Sequence, residues 1–222
     1  MQIKINKSDV ARYLGYKNAV IDAQTEKDID FCCEMLADCM SPQTYYRVFE
    51  IEKSETIKIK NTTLALSGNS AKQLLEDCES CVLMISTLGG GVDELIRKLQ
   101  ITNMPHAVIA DFCASSLVEE LTNHFEEKIK SDILKSGEYF TDRFSPGYGD
   151  LPLEIQSKFC EILQSGKTVG VFVNSAGIMI PRKTITAVIG IANKPQKKKI
   201  KGCAYCDLAK NCEFKKGGRS CE

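Results

Sequence analysis

The stretch Cys81-Val-Leu-Met-Ile-Ser-Thr-Leu-Gly-Gly-Gly91 decides the fold class. Its first six residues form a compact, mostly apolar run, which suits a strand buried on both faces. Thr87-Leu-Gly-Gly-Gly91 interrupts the run, and a helix is expected over 92–99. Working outward, Pro105 starts the longest helix, roughly 106–134. Upstream, residues 45–51 alternate as a strand, 56–66 hold one or two more with a turn near Asn61, and 70–76 form a short helix. Nearer the N-terminus, Ser8 is read as the cap of a helix over 9–14. Thr25 is read as opening another that runs to about Met40 and stops at Ser41-Pro42. In that second helix Ile29, Cys32, Cys33, Leu36 and Cys39 have helical spacing and are expected in the core. Downstream, strands are expected over 168–174 and 184–192. The body is therefore mixed α/β (α+β), with no internal repeat.

Composition narrows the class. The chain has 222 residues, 43% hydrophobic and 26% charged, which is ordinary for a globular protein and unlike a disordered one. No apolar run reaches the roughly 18 residues of a membrane span. The first 13 residues carry Lys4, Lys7, Asp9 and Arg12 and lack the apolar core of a secretory signal. Eleven cysteines without such a signal point to a reducing, cytoplasmic setting. The formal charge is zero, but it is unevenly placed. Residues 194–222 carry nine Lys/Arg and three Asp/Glu, a net of +6, and residues 1–193 a net of −6. Residues 194–201 read as a solvated linker broken by Pro195.

Two stretches carry chemistry. Arg143-Phe-Ser-Pro-Gly-Tyr-Gly-Asp-Leu-Pro152 combines a tight, backbone-exposed turn with an arginine and an aromatic ring. The guanidinium of Arg143 suits a carboxylate, and Tyr148 offers a flat face and a hydroxyl. Such a loop suits a zwitterionic, amino-acid-like ligand, or is simply a structural turn. The tail reads Cys203-x2-Cys206-x5-Cys212-x8-Cys221, four thiols flanked by basic residues and glycines. This pattern suits a four-thiolate site holding zinc or a [4Fe–4S] cluster, which the spacing does not separate. Thr87–Gly91 either meets a phosphate or bends structurally. It is neither a P-loop nor a dinucleotide fingerprint. Only two histidines occur, His106 and His124, and no Ser-His-Asp, Cys-His or radical-type Cys-x3-Cys-x2-Cys pattern is found.

The loop at 143–151 resembles the Arg-x-x-Pro-Gly-Tyr loop of the activation domain of cobalamin-dependent methionine synthase. Two further segments fall in the same order. Val118-Glu-Glu-Leu-Thr-Asn-His-Phe-Glu-Glu-Lys-Ile-Lys130 is similar to the long helix of that family. Asn174-Ser-Ala-Gly-Ile-Met-Ile-Pro-Arg-Lys-Thr-Ile-Thr186 is similar to its Met-x-Pro segment. Residues 12–16 and 87–89 look like features of short, stand-alone members. The resemblance implies a domain over 1–193 with a central, largely antiparallel sheet and one long helix, followed by a cysteine tail over 194–222. It implies that Arg143, Ser145, Pro146, Gly147 and Tyr148, with Glu119, Met179, Ile189 and Gly190, bind S-adenosylmethionine.

By the same resemblance, the chain would reactivate an oxidised corrinoid methyltransferase by one-electron reduction and methylation. It carries no Asp-x-His-x-x-Gly corrinoid motif, so cobalamin is expected on a partner, a methionine synthase lacking its own activation domain. Flavodoxin or ferredoxin is the expected class of electron donor. Neither a membrane nor a nucleic acid is an expected partner on this reading. Two departures stand out. Ile189 and Gly190 occupy the positions of a ligand-contacting tyrosine-phenylalanine pair, and Ser115 replaces an acidic residue one turn before Glu119. The other reading of the +6 tail is a zinc-knuckle module that binds nucleic acid or an acidic protein. Anaerobically purified protein is expected to be brown, with the visible absorption of thiolate-bound iron. A colourless, zinc-containing preparation would overturn the cluster assignment.

Overall fold

The computed structural model describes residues 5–16 and 21–196. In chain order the elements are α1 (Lys7–Tyr13), α2 (Ala23–Cys39), β1 (Gln43–Lys53), β2 (Ile57–Ile59), β3 (Ala65–Leu66), α3 (Asn69–Leu74) and β4 (Cys78–Thr87). They continue with α4 (Gly90–Thr102), α5 (Met104–Ile133), β5 (Tyr139–Phe140), α6 (Gln156–Ile162), α7 (Ser165–Thr168), β6 (Phe172–Val173), β7 (Met179–Ile180) and β8 (Thr184–Ala192). Among the described residues, no helix is long and apolar enough to cross a membrane.

These elements fall into two compact units, interleaved in sequence. The first takes the described parts of Met1–Tyr45, Ile85–Ile129 and Ser165–Ile185. Its core is helical: Val10, Ile29, Cys32 and Leu36 pack with Val92, Ile96, Ala110, Cys113 and Leu117. Cys32 is buried as expected, whereas Cys33 and Cys39 are only half-buried against that core. Asn6, not Ser8, caps α1. Its side chain accepts from the Ser8 N–H at 3.1 Å, which places Ser8 inside the first turn. Asp22 rather than Thr25 caps α2, accepting from the N–H groups of Gln24 at 3.0 Å and Thr25 at 2.9 Å.

The strand expected over 168–174 is mostly absent. Residues up to Thr168 form α7, and pairing is confined to β6, opposite β7. Gly170 has φ +71, a left-handed conformation that ends an extended run. The Ser165 hydroxyl reaches back to the Val171 carbonyl at 2.7 Å and holds the turn.

The second unit takes the described parts of Tyr46–Met84, Lys130–Gln164 and Thr186–Glu222. It holds β2, β3, β5 and the larger parts of β1, β4 and β8. The six strands are ordered β3-β2-β1-β4-β8-β5 in a mostly antiparallel sheet. Ile51 pairs with Ile59, Ile57 with Leu66, and Phe140 with Ile191, all antiparallel. In β4 every residue from Cys81 to Thr87 is buried, as the apolar run predicts. β8 spans the expected residues and is nearly as dry, so both behave as central strands.

Gly190 of β8 is closely packed by its neighbours. A Cβ there would collide with Cys78 Sγ and lie 2.7 Å from Leu75 Cδ2 and 2.9 Å from Thr141 Cγ2. Gly190→Val is therefore expected to destabilise the fold by about 1–3 kcal/mol through overpacking. A lower urea midpoint at unchanged slope is the signature to look for, and an unchanged midpoint would contradict this packing.

Candidate functional site

The loop carrying Arg143 is built on the edge of β8. The Thr141 N–H donates to Gly190 O at 3.0 Å, and the Gly190 N–H donates to Thr141 Oγ1 at 2.8 Å. Phe144 and Val188 exchange a pair of main-chain bonds, at 3.0 and 2.8 Å. Arg143 thus lies between two anchored residues, half-buried, with its Nη1 atom shielded from solvent. Phe144 is buried and Ser145 half-buried. A guanidinium held this way gives up little further freedom when it binds a carboxylate.

Beyond Phe144 the chain folds on itself. The Tyr148 N–H donates to Ser145 O at 3.2 Å, the Leu151 N–H to Tyr148 O at 3.1 Å, and the Gly147 N–H to Leu151 O at 2.9 Å. The donors of Gly147 and Tyr148 are thus used inside the loop, and Pro146 has none. Gly147 and Gly149 have φ of +88 and +51, so the turn needs glycine at both. Tyr148 is 67% exposed, an aromatic face turned to solvent from a rigid frame.

Asp150 ties the loop to α3, a contact that sequence reasoning missed. Its carboxylate accepts from the N–H groups of Asn69 at 2.5 Å and Ser70 at 3.0 Å, at the start of that helix. Gly68 makes room, since a Cβ there would lie 2.6 Å from Asp150 Oδ1. Burial pushes the Asp150 carboxyl up. Hydrogen bonds from the Ser70 side chain and from the Ser70 and Asn69 backbones outweigh it and leave the group below its usual range. The start of α3 has no cap from its own segment, and Asp150, some 80 residues further on, fills that place.

The other expected ligand residues are distributed as follows. Ile189 is fully buried, and Gly190 packs on Leu75, Cys78 and Thr141. No tyrosine or phenylalanine could stand at Gly190 in this packing. Glu119, exposed on α5, and Met179, half-buried in β7, belong to the first unit, whereas the Arg143 loop belongs to the second. Cys203, Cys206, Cys212 and Cys221 lie outside the described residues. Among the described residues, no three His, Cys, Asp or Glu side chains gather as a metal site.

Thr87–Gly91 is a structural bend. Thr87 Oγ1 accepts from the Gly89 N–H at 3.2 Å and from the Thr184 hydroxyl at 2.8 Å. Added Cβ atoms at Gly89 and Gly91 would strike Ser41 and Cys39 O. Next to it, Lys183 clamps α5. Its Nζ sits 2.9 Å from Asp111 Oδ1, 3.0 Å from Asp111 O and 2.9 Å from Ser115 Oγ. Ser115 therefore has a structural partner where the family resemblance expects an acid. In the second unit, a polar cleft of about 550 Å³ opens between β1, the β2–β3 turn and the end of α6, lined by Arg47, Phe49, Lys60, Thr62, Glu161 and Gln164. None of the expected ligand residues lines it.

A scan against protein-family models and a search of curated proteins find no match. Among solved structures the chain is similar to one described as the MetH reactivation domain bound to AdoHcy. The TM-score is 0.63 at 13% identity, over 95% of this chain and 77% of that one. The likeness establishes a shared fold.

Removing the Asp150 anchor, in Asp150→Ala, is expected to cost about 0.5–1 kcal/mol, the lower range for a cap because the carboxylate is exposed. A carboxyl held below its ordinary pKa stabilises above the unfolded-state value and loses that contribution as pH falls through its folded value. The difference between wild type and variant in urea unfolding is thus expected in full above about pH 4 and to shrink on acidification. A difference that grows toward low pH would contradict the contact.

Proposed function

We propose that this chain binds S-adenosylmethionine on the 143–151 loop and presents it to a corrinoid held on a separate methyltransferase, a methionine synthase without its own activation domain. The observation that supports this most is the Arg-x-x-Pro-Gly-Tyr sequence itself, set as a rigid, solvent-facing turn in a fold shared with a reactivation domain that binds AdoHcy. Bound S-adenosylmethionine supplies a sulfonium-activated methyl group to a strongly nucleophilic reduced corrinoid.

Each part of the loop has a task in this reading. Arg143 takes the α-carboxylate through a two-pronged, charge-assisted hydrogen bond. Because the donors of Gly147 and Tyr148 are already engaged, the turn contributes acceptors. The carbonyls of Pro146 and Gly147 take the ligand's amino groups. The exposed ring of Tyr148 packs on a flat or cationic part of the ligand and shields it from water. Ile189 and Gly190 act from behind, through the strand that anchors Thr141 and Phe144. Alkyl transfer from a sulfonium to a metal nucleophile needs positioning and exclusion of water rather than a proton shuttle. A chain with two histidines and no acid–base constellation is adequate for that task.

The electron is proposed to come from a flavodoxin or ferredoxin, or through a centre on Cys203, Cys206, Cys212 and Cys221. Titration calorimetry with S-adenosylmethionine tests the binding step. Wild type is expected to bind, and Arg143→Ala to bind on the order of 10–100-fold more weakly, the worth of hydrogen bonds to a charged group. No heat in either protein at millimolar ligand would contradict the reading.

A further inference from the structure

The cleft between β1, the β2–β3 turn and the end of α6 takes no part in the ligand grip proposed above, and every residue that lines it belongs to the second unit. Its volume of about 550 Å³ lies in the range of small-molecule sites. Arg47 is held there at two points. Its Nη1 donates to Ile162 O at 3.0 Å, and its guanidinium carbon stands 4.9 Å from the centre of the Phe49 ring. Arg47 is exposed, and no carboxylate among the described residues pairs with it. A carbonyl and a ring face thus fix the guanidinium without cancelling its charge, and they leave further N–H donors for an anion.

A matching negative charge is carried by the residue before Ile162. Glu161 lines the same cleft, is exposed, and has no cation beside it among the described residues. The other charges of the cleft are already paired, with Lys60 Nζ 2.8 Å from Glu50 Oε2. One guanidinium and one carboxylate remain uncompensated, and that balance decides the ligand class. A phosphate would meet one open cation and be opposed by Glu161, and a diamine would be opposed by Arg47. A zwitterion meets both charges. The backbone marks the same place. Asn61 and Gln164 have φ of +61 and +50, the two non-glycine residues with positive φ among the described residues, and both line the cleft. Gln164 follows the C-cap of α6, Leu163, where glycine is the usual occupant. Polar side chains kept on a strained backbone are a feature of ligand sites.

We propose that this cleft binds a free α-amino acid with an uncharged side chain. Arg47 takes the α-carboxylate through a two-pronged hydrogen bond, and Glu161 takes the α-ammonium group. The Thr62 hydroxyl is already used, donating to Ile59 O at 2.8 Å and accepting from the Leu64 N–H at 3.1 Å. The Asn61 amide and the Thr63 hydroxyl have no hydrogen-bond partner among the described residues and are left for the ligand's side chain. No further uncompensated charge lines the cleft, so a charged side chain would stand unpaired there.

S-Adenosylmethionine carries the same zwitterionic head group, so the experiment separates two sites. The full chain is titrated with each of the standard L-amino acids at millimolar concentration and observed by saturation-transfer NMR. At least one with an uncharged side chain is expected to show transfer. Its N-acetyl form, which lacks the ammonium group, and its C-terminal amide, which lacks the carboxylate, are expected to show none. Arg47→Gln and Glu161→Gln are each expected to weaken its binding on the order of 10-fold or more, the worth of a hydrogen bond to a charged group. Glu161→Gln, at an exposed position, is expected to keep the wild-type urea midpoint, and Arg143→Ala to leave amino-acid binding unchanged. No transfer from any of the amino acids would overturn the proposal, as would binding confined to charged side chains, binding that survives both cleft variants, or binding lost in Arg143→Ala. Arg47 and Glu161 lie outside the 143–151 loop, so failure here leaves the calorimetry with S-adenosylmethionine unaffected.

Discussion

The docking of residues 141–144 against β8 is the constraint on which the candidate site depends. The N–H groups of Val188 and Gly190 are buried in a strand that is dry along nearly its whole length. Their partners are Phe144 O and Thr141 Oγ1, both supplied by the segment that carries Arg143. Peeling that segment away would strand two buried donors at roughly 1–3 kcal/mol each, so the segment stays in place. Asp150 adds a second attachment at α3, and the turn closes on itself through Leu151. Arg143 and Tyr148 are thus carried by a backbone with little freedom left to lose on binding.

The same packing bears on the departure from the pattern of the family that the sequence resembles. At Gly190 the space that an aromatic side chain would fill is taken by Leu75, Cys78 and Thr141. Glycine here lets β8 lie close to its neighbours, and those close neighbours in turn hold the loop. A ligand grip centred on the loop, rather than on an aromatic pair from the strand, is the consistent reading. Under the proposed function it also asks less of ionisable groups, because a sulfonium methyl is activated before it arrives.

Much of this was legible in the sequence. The buried runs of β4 and β8, the 30-residue helix α5 and the positive-φ turn at Pro146-Gly147 follow from apolar continuity, helical spacing and glycine placement. What was not legible depends on contacts distant in sequence. Asp150 finds Asn69 and Ser70, and Lys183 finds Asp111 and Ser115, and no local pattern encodes either meeting. Residues 168–174 alternate like a strand, yet Gly170 and the bond from Ser165 end the run after α7. The caps Asn6 and Asp22 are not distinguished by local sequence, because Ser8 and Thr25, equally good capping residues, stand two and three positions further on.

A crystal of the full chain grown with S-adenosylmethionine tests the central claim most directly. The account predicts density for the ligand's carboxylate on the Arg143 guanidinium, its amino groups facing the Pro146 and Gly147 carbonyls, and Tyr148 against its body. Ligand density elsewhere, for example in the cleft beside Arg47 and Lys60, with the 143–151 loop bare, would contradict it.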